Sequence, residues 1–379
     1  MKIAMLGVRG IPGTFGGAEK VVEEVSIRLV SLGNEVTVYC RPHYNKTKTD
    51  RYNGIKLNYI PCINTKHLEA ISHTLLCTLL ASISDYDVIH YHSLGPSLLS
   101  WIPKLFGKKV VSTCHGLDWQ RKKWNKLAKA CLKAGEKASI LFPNKTTVVS
   151  PLLKDYFYKK YNKKTVYIAN GISVTPQIND TTFLSEFGLT KNKYILFLSR
   201  IVPEKGLHRL IKAFLEIQTD TKLVIAGDHS HSKDYLTAIK KMAANDKRII
   251  FTGPVFGTDK NALFSHAYCF VLPSDIEGMP LVLLEAMSLG CCPLVSDIPI
   301  NKCIVTPDNN NHYGFTFKAG NVKSLKHNLD FVLSNPKIVS QIKNKIVAYV
   351  TAYYNWDIIC DNYHSLYASL YKNQVSTLP

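Results

Sequence analysis

Two runs of alternating strand and helix patterns, one after the other, limit what this chain can fold into. KIAMLGV at the N-terminus is a short apolar run that reads as a buried strand. GAEKVVEEVSIRLVSLG repeats its apolar residues with a period near 3.6, and NEVTVYC reads as a second strand. Strand, glycine-rich turn, helix and strand make a βαβ unit, which implies a parallel sheet. The alternation continues through KLNYIP, a helix over 70–84, DVIHYH, KVVSTCHG, a basic helix from 121 to 139, KTTVVS and TVYIAN. It starts afresh at KYILFLSR (193–200) and runs through GLHRLIKAFLEI, KLVIAG, a helix near 233–244, RIIFTG, NALFSHA, YCFVLPS, PLVLLEAMSLG, PLVSD and GFTF. The expected fold class is therefore α/β, with two doubly wound Rossmann-like domains. The expected boundaries are 1–178, 179–354 and a C-terminal aromatic-rich helix over 355–379. A length of 379 residues suits two domains of roughly 100–200 residues each.

Composition narrows the function classes. Hydrophobic residues make up 46% and charged residues 20%, a globular balance. MKIAMLGVRG reads as a strand rather than a secretory leader. AISHTLLCTLLASIS (70–84) is shorter than the ~20 residues a membrane span needs and contains His73, so a core helix is expected there. Ten cysteines without a CxxC pair exclude zinc-ribbon and thioredoxin-like spacings and fit reduced thiols in a cytoplasmic protein. The net charge of +19 is concentrated: residues 101–165 hold sixteen Lys and Arg against Asp118, Glu136 and Asp155, a local +13. Anionic lipid, a phosphorylated substrate and a solvated helix face all fit such a stretch. No nucleic-acid-binding motif accompanies it, so nucleic acid is not an expected partner.

Chemistry concentrates at three places. GVRGIPGTFGG (7–17) joins the first strand to the first helix, where α/β proteins hold phosphates on backbone N–H groups. Its glycines do not make the G-x-G-x-x-G of dinucleotide-binding dehydrogenases, and VTVYC is followed by Arg41 and Pro42 rather than by an acidic residue. SRIVPEKGLHRL (199–210) puts Arg200 at a strand's carboxyl end and Lys205 just before a helix, two cations suited to a diphosphate. In IEGMPLVLLEAMSLGC (276–291), Glu277 stands in a strand-to-helix turn and Glu285 lies within the helix. Paired carboxylates of this kind suit sugar hydroxyls, and the N–H groups of Gly278 and Met279 suit a phosphate.

With these motifs in hand, the chain resembles a known family. EGMPLVLLE matches the E-x7-E pattern of retaining GT-B glycosyltransferases of family 4, and SRIVPEKGL matches their Arg and Lys motif. The opening GVRGIPGTFGGAEKVVEEV looks like the bacterial rhamnosyltransferase-type branch; CHGLDWQRKKW, VYIANGI and NWDIICDNYHSLYASLY follow in family order. The resemblance implies two domains facing across a cleft, the last helix crossing back to the first domain, and glycosyl transfer from a nucleotide-diphosphate sugar with retention. It implies that Glu285 holds the donor ribose, Glu277 and His115 lie by the donor sugar, Arg200 and Lys205 neutralise the diphosphate, and Gly16 and Gly17 approach its phosphates. It further implies no metal or other cofactor, a sugar or lipid-linked acceptor, surface polysaccharide, lipopolysaccharide or glycolipid assembly, and a cytoplasmic location. An anionic membrane surface is the partner expected for the basic 101–165 stretch. A nucleotide-sugar or polysaccharide binding protein without turnover is the alternative. Asp85-Tyr86-Asp87 is formally a D-x-D, but it precedes its strand at the wrong edge for a metal-diphosphate site.

Overall fold

The structure is a computed structural model that describes residues 1–13, 16–44, 48–65, 68–121, 124–174, 176–228, 233–308 and 310–375, with side chains as far as Tyr371. The strands are β1 (Lys2–Leu6), β2 (Glu35–Cys40), β3 (Arg51–Tyr52), β4 (Ile55–Tyr59), β5 (Val88–His92), β6 (Lys109–Cys114), β7 (Lys145–Val148), β8 (Val166–Tyr167), β9 (Tyr194–Leu198), β10 (Lys222–Ala226), β11 (Ile249–Gly253), β12 (Cys269–Leu272), β13 (Cys292–Ser296) and β14 (Phe315–Phe317). The helices are α1 (Gly17–Ser31), α2 (Glu69–Ile83), α3 (Leu94–Ser97), α4 (Ile102–Leu105), α5 (Lys126–Leu141), α6 (Pro151–Tyr161), α7 (Thr182–Glu186), α8 (Leu207–Leu215), α9 (Lys233–Ala243), α10 (Gly257–His266), α11 (Leu281–Ser288), α12 (Pro299–Val305), α13 (Val322–Ser334), α14 (Pro336–Tyr354) and α15 (Trp356–Val375).

The chain divides into two compact units: Met1–Gly171 together with the segment from Trp356 onward, and Ile172–Asn355. The division falls at Gly171 rather than at 178. Gly171 lies under the indole of Trp356, so close that a Cβ there would sit 2.6 Å from the ring. In the first unit an eight-stranded sheet has the order β3-β4-β2-β1-β5-β6-β7-β8. Its pairs are parallel except the β3–β4 hairpin. In the second, six strands run β11-β10-β9-β12-β13-β14, all parallel. Both orders reverse once, at β1 and at β9, and loops that leave such a reversal diverge and open a crevice at the carboxyl edge.

The VIHYH strand shows how alternation builds the first unit. On one face Ile89 and Tyr91 join Ala4, Leu6, Tyr39, Cys77 and Ala81 in a core, and the Tyr91 hydroxyl donates to Thr78 Oγ1 of α2 at 2.9 Å. On the other face His90 meets α15: Nδ1 lies 2.7 Å from the Tyr367 hydroxyl, and Nε2 lies 2.7 Å from Thr113 Oγ1. The Arg28 side chain of α1 bonds Asp357 at 2.6 Å, so α15 is tied to the same face.

Two expectations need correction. Helix 70–84 is not a core helix, because only its small side is buried; Leu75, Leu76, Leu79, Leu80 and Ile83 are exposed. The basic helix begins at Lys126, not 121, because Asn125 caps it by accepting from Ala128 N at 2.9 Å. Lys122 and Lys123 lie outside the described residues. Within the basic stretch, the fully buried Glu136 accepts bonds from Trp119 Nε1 (2.6 Å), Tyr156 (3.0 Å), Lys160 (2.6 Å) and Tyr161 (2.6 Å). Burial alone would raise its pKa, but these donors hold it below the usual carboxylate value.

All four tryptophans (Trp101, Trp119, Trp124 and Trp356) belong to the first unit, so tryptophan emission follows its unfolding separately from the second unit. Tyr367→Phe strands the buried His90 Nδ1 and is expected to destabilise this unit by about 1–3 kcal/mol. A denaturation midpoint followed by tryptophan fluorescence checks it.

Candidate active site

The second unit builds its site from the loops that follow β9 and β12, neighbours paired through Ile195↔Cys269 and Leu196↔Phe270. After β9 the chain runs through Arg200 and a short 3-10 turn, Pro203–Lys205, to Gly206, which caps α8. Gly206 has φ +71°, and a Cβ there would lie 2.0 Å from the Pro273 carbonyl oxygen, so only glycine lets the two loops meet. The loops are stitched further: Asp275 N donates to the Glu204 carbonyl at 2.9 Å, and Arg209 donates to Pro273 O at 3.2 Å and to Asp275 Oδ1 at 2.5 Å.

Within this frame Lys205 and Glu277 come together. Their side chains are 11% and 10% exposed and form an ion pair at 2.5 Å. The cation expected to meet a diphosphate and the carboxylate expected beside a sugar thus neutralise each other. Glu285, on the second turn of α11, pairs at 2.9 Å with Lys260 of α10, a residue that the spacing of sequence motifs did not single out. Gly278 and buried Met279 occupy the turn that leads to α11, whose N-cap is Pro280. Arg200 is half-buried in the first of the two loops.

The first unit has its own reversal, with the loop after β1 beside the ends of β5 and β6. Gly7 has φ +98°, and a Cβ there would lie 2.5 Å from the His92 carbonyl oxygen, so the glycine lets this loop cross the end of β5. Helix α1 starts at Gly17, with Gly16 as its extended N-cap. The loop's amides are partly taken: Gly13 N donates to Glu23 Oε2 at 2.7 Å and Arg9 N to Glu19 Oε1 at 3.4 Å. Glu19 also lies against Gly16, its Oε2 only 2.7 Å from where a Cβ would stand. An anion approaching Gly16 therefore meets a carboxylate. Thr14 and Phe15 of the same loop lie outside the described residues.

At the end of β6, His115 Nε2 lies 3.1 Å from Nδ1 of the buried His92, and the rings stack with centroids 5.3 Å apart. Burial drives the pKa of His115 down to about 4 and that of His90 to about 3; His92 is pushed well below the ordinary value, first by burial and then by its histidine neighbours. All three are neutral at pH 7. His92 Nε2 is buried with no partner among the described residues. An unmet acceptor is tolerated better than an unmet donor, so the proton of His92 belongs on Nδ1, donating to His115 Nε2 and leaving the proton of His115 on Nδ1. The carboxylates of the D-x-D are spent on Lys2: Asp85 pairs with its Nζ at 2.7 Å and Asp87 accepts from its N at 2.6 Å.

Comparison with known proteins agrees with this architecture. The family model for glycosyltransferase family 4 matches residues 15–175, and that for glycosyl transferases group 1 matches 180–347. A UDP-Gal:alpha-D-GlcNAc-diphosphoundecaprenol alpha-1,3-galactosyltransferase of Escherichia coli is 27% identical, over 78% of this chain and 80% of its own. An N-acetylgalactosamine-N,N'-diacetylbacillosaminyl-diphospho-undecaprenol 4-alpha-N-acetylgalactosaminyltransferase of Campylobacter jejuni is 23% identical, over 87% and 90%. Among solved structures, Anabaena HepE in complex with UDP and glucose superposes with a TM-score of 0.82 at 17% identity, over 97% of this chain and 100% of its own. The fold is GT-B. The chain is a glycosyltransferase with a family 4 domain followed by a group 1 domain.

The three neutral histidines make a pH prediction. Unfolded, each has a pKa near 6.5; folded, none binds a proton until about pH 4 or below. Between those limits the unfolded chain binds more protons, so stability of the first unit is full above pH 6.5 and falls as the pH drops through the window. The denaturation midpoint of the tryptophan signal is expected to be lower at pH 5.5 than at pH 7.5, a range above ordinary carboxylate titration. His92→Leu is expected to shrink the difference.

Proposed function

We propose that this protein is a retaining, metal-independent hexosyltransferase that moves a sugar from a nucleotide-diphosphate sugar to an acceptor hydroxyl. The observation that carries the reading is the Lys205–Glu277 pair beside Arg200 at the β9–β12 reversal. A departing diphosphate takes the bonding electron pair and gains one negative charge beyond those it already carries, at a place where Lys205 is held but already paired. As the ligand enters, Lys205 exchanges its carboxylate partner for the phosphates, and Glu277 is released to accept from a sugar hydroxyl. Arg200 supplies a second cation, with a fork that matches two phosphate oxygens. Glu285, drawn away from Lys260, accepts from the ribose hydroxyls, and the amides of Gly278 and Met279 face the phosphates. Stabilising the leaving diphosphate in this way is the largest contribution that fixed charges make to such a transfer. His115, neutral and with its proton on Nδ1, serves as a donor to a sugar hydroxyl. Gly16 and Gly17 take a lesser part, because Glu19 already stands against Gly16.

Diphosphoundecaprenol in the names of the Escherichia coli and Campylobacter jejuni relatives supports a lipid-linked acceptor and a role in cell-surface polysaccharide, lipopolysaccharide or glycolipid assembly on the cytoplasmic side of a membrane. Both names specify an alpha linkage, which is the product of retention from an alpha-linked nucleotide sugar. Among the described residues no helix is long and apolar enough to cross a membrane. His43, Cys62 and Glu69 place three metal-capable atoms within 4.8 Å of one another, and the carboxylate of this group is already paired with Arg41 at 3.3 Å. The diphosphate charge in this proposal is met by Arg200 and Lys205 instead.

A screen of UDP-, GDP- and dTDP-linked sugars by thermal shift and by hydrolysis, with chelator present, tests the reading. One donor is expected to stabilise the protein and turn over. Lys205→Ala is expected to lower turnover by about 10²–10³, and Glu285→Ala to abolish the stabilisation. Failure of every donor to stabilise the wild type, or turnover that disappears with chelator, would reject it; an inverted anomer in the product would reject retention.

A further inference from the structure

Helix α2 is built inside out. The residues it turns toward the sheet are small or polar: His73, Thr74, Cys77, Thr78, Ala81 and Ser82 are all buried. Its large apolar residues point away. Ile71, Leu75, Leu76, Leu79, Leu80 and Ile83 are between 36% and 72% exposed. At 100° per residue these six cover one side of the helix, and from Ala70 to Ser84 the chain carries no charged residue. Helix α4 packs beside α2, and its turn adds Trp101 (42% exposed), Leu105 (73%) and Phe106 (50%). Scattered exposed leucines need no explanation, but a contiguous uncharged face marks an interaction site.

The border of this face is cationic. Lys108 Nζ donates to the Ser84 carbonyl at 2.5 Å, which places an ammonium at the C-terminal end of α2. Lys104 lies in α4 and Lys109 opens β6, both within the stretch of local charge +13. Two acidic residues flank the helix, and both are paired: Glu69 at its start with Arg41 at 3.3 Å and with His43 at 2.7 Å, and Asp85 just past its end with Lys2 at 2.7 Å. A second copy of the chain seated here would bring two lysine-fringed faces together, whereas an anionic lipid surface complements both the apolar centre and its rim.

We propose that α2 and the adjoining 101–106 turn dock this protein on an anionic membrane, with α2 lying in the plane of the interface. Its 15 residues are too few to span, and the leucine side enters the acyl boundary while Lys104, Lys108 and Lys109 meet lipid phosphates. Trp101 sits at the depth where indoles are favoured. This surface is distinct from the lysines of α5. It deepens the proposed function, since it would bring the enzyme to a lipid-linked acceptor, but vesicle binding itself requires no turnover.

Co-sedimentation of the full chain with phosphatidylcholine vesicles, with and without phosphatidylglycerol, tests the proposal, and the oligomeric state is read in parallel by analytical ultracentrifugation. Wild type is expected to bind the anionic vesicles, and Leu75→Gln/Leu79→Gln to bind them about tenfold or more weakly, because each change removes apolar area from the inserted face. Lys104→Gln/Lys108→Gln is expected to weaken binding to anionic vesicles alone. Trp101 emission is expected to shift to the blue on binding, a shift lost in Trp101→Phe. Equal vesicle binding by wild type and the leucine variant would overturn the proposal. So would a wild-type dimer that the leucine variant converts to monomer, since a second copy would then cover the face. Vesicle binding by a protein that turns over no nucleotide sugar would leave this inference standing and reject the proposed function.

Discussion

The candidate site exists because β9 has β10 on one side and β12 on the other. Parallel strands need crossover connections, and a sheet that starts in its middle must at some point reverse their direction, as the step from β11 back to β12 does here. Where they part, two loops stand at one carboxyl edge with no helix between them. The second unit uses this opening closely. Gly206 sits where any side chain would strike the Pro273 carbonyl, and Gly227, at φ +133°, sits where one would strike the Ser199 carbonyl at 2.0 Å. The backbone is therefore held before any ligand arrives. Lys205 and Glu277 are placed by this backbone packing as much as by their own attraction.

The first unit has the same topology and fills its opening differently. Its loop after β1 turns amides inward, as a phosphate-binding turn would, yet Glu19 and Glu23 from the following helix reach back to two of them. Glu23 is in turn held by Lys20 of α1 at 3.7 Å and by the Tyr52 hydroxyl of β3 at 2.9 Å. Equivalent positions in two sheets of one architecture thus differ in what they accept. One presents lysines already paired with carboxylates; the other presents carboxylates and a neutral imidazole. Fold alone does not decide ligand chemistry.

How far the residues could be read in advance follows from what each pattern encodes. Apolar runs such as YILFL and KLVIA are legible because a strand covered on both faces needs them, and both are strands here. The positions of Arg200, Lys205 and Glu277 at loop carboxyl ends were legible for the same reason. Lys260 was not, because its link to Glu285 joins two helices 25 residues apart and leaves no local period. Nor was the inversion of α2. An uncharged 15-residue helix reads as core when only composition is weighed; the small residues at 73, 74, 77, 78, 81 and 82 carry the opposite message, that the sheet-facing side had to be thin. The helix start at Lys126 was hidden by lysines that extend the polar pattern upstream, although Asn125 is itself a capping residue.

The pairing of Lys205 with Glu277 also bears on discrimination. An empty site lined by bare cations would attract any anion in the cell, from chloride to free phosphate. Here the cation already has a counter-ion on a tether. A ligand must outcompete a carboxylate that is held at fixed distance and cannot diffuse away, so a single charge has little to offer, whereas two linked phosphates with sugar hydroxyls to engage the released glutamate have much. In the proposed transfer the ion pair acts as a threshold, admitting ligands that can satisfy both halves of it at once.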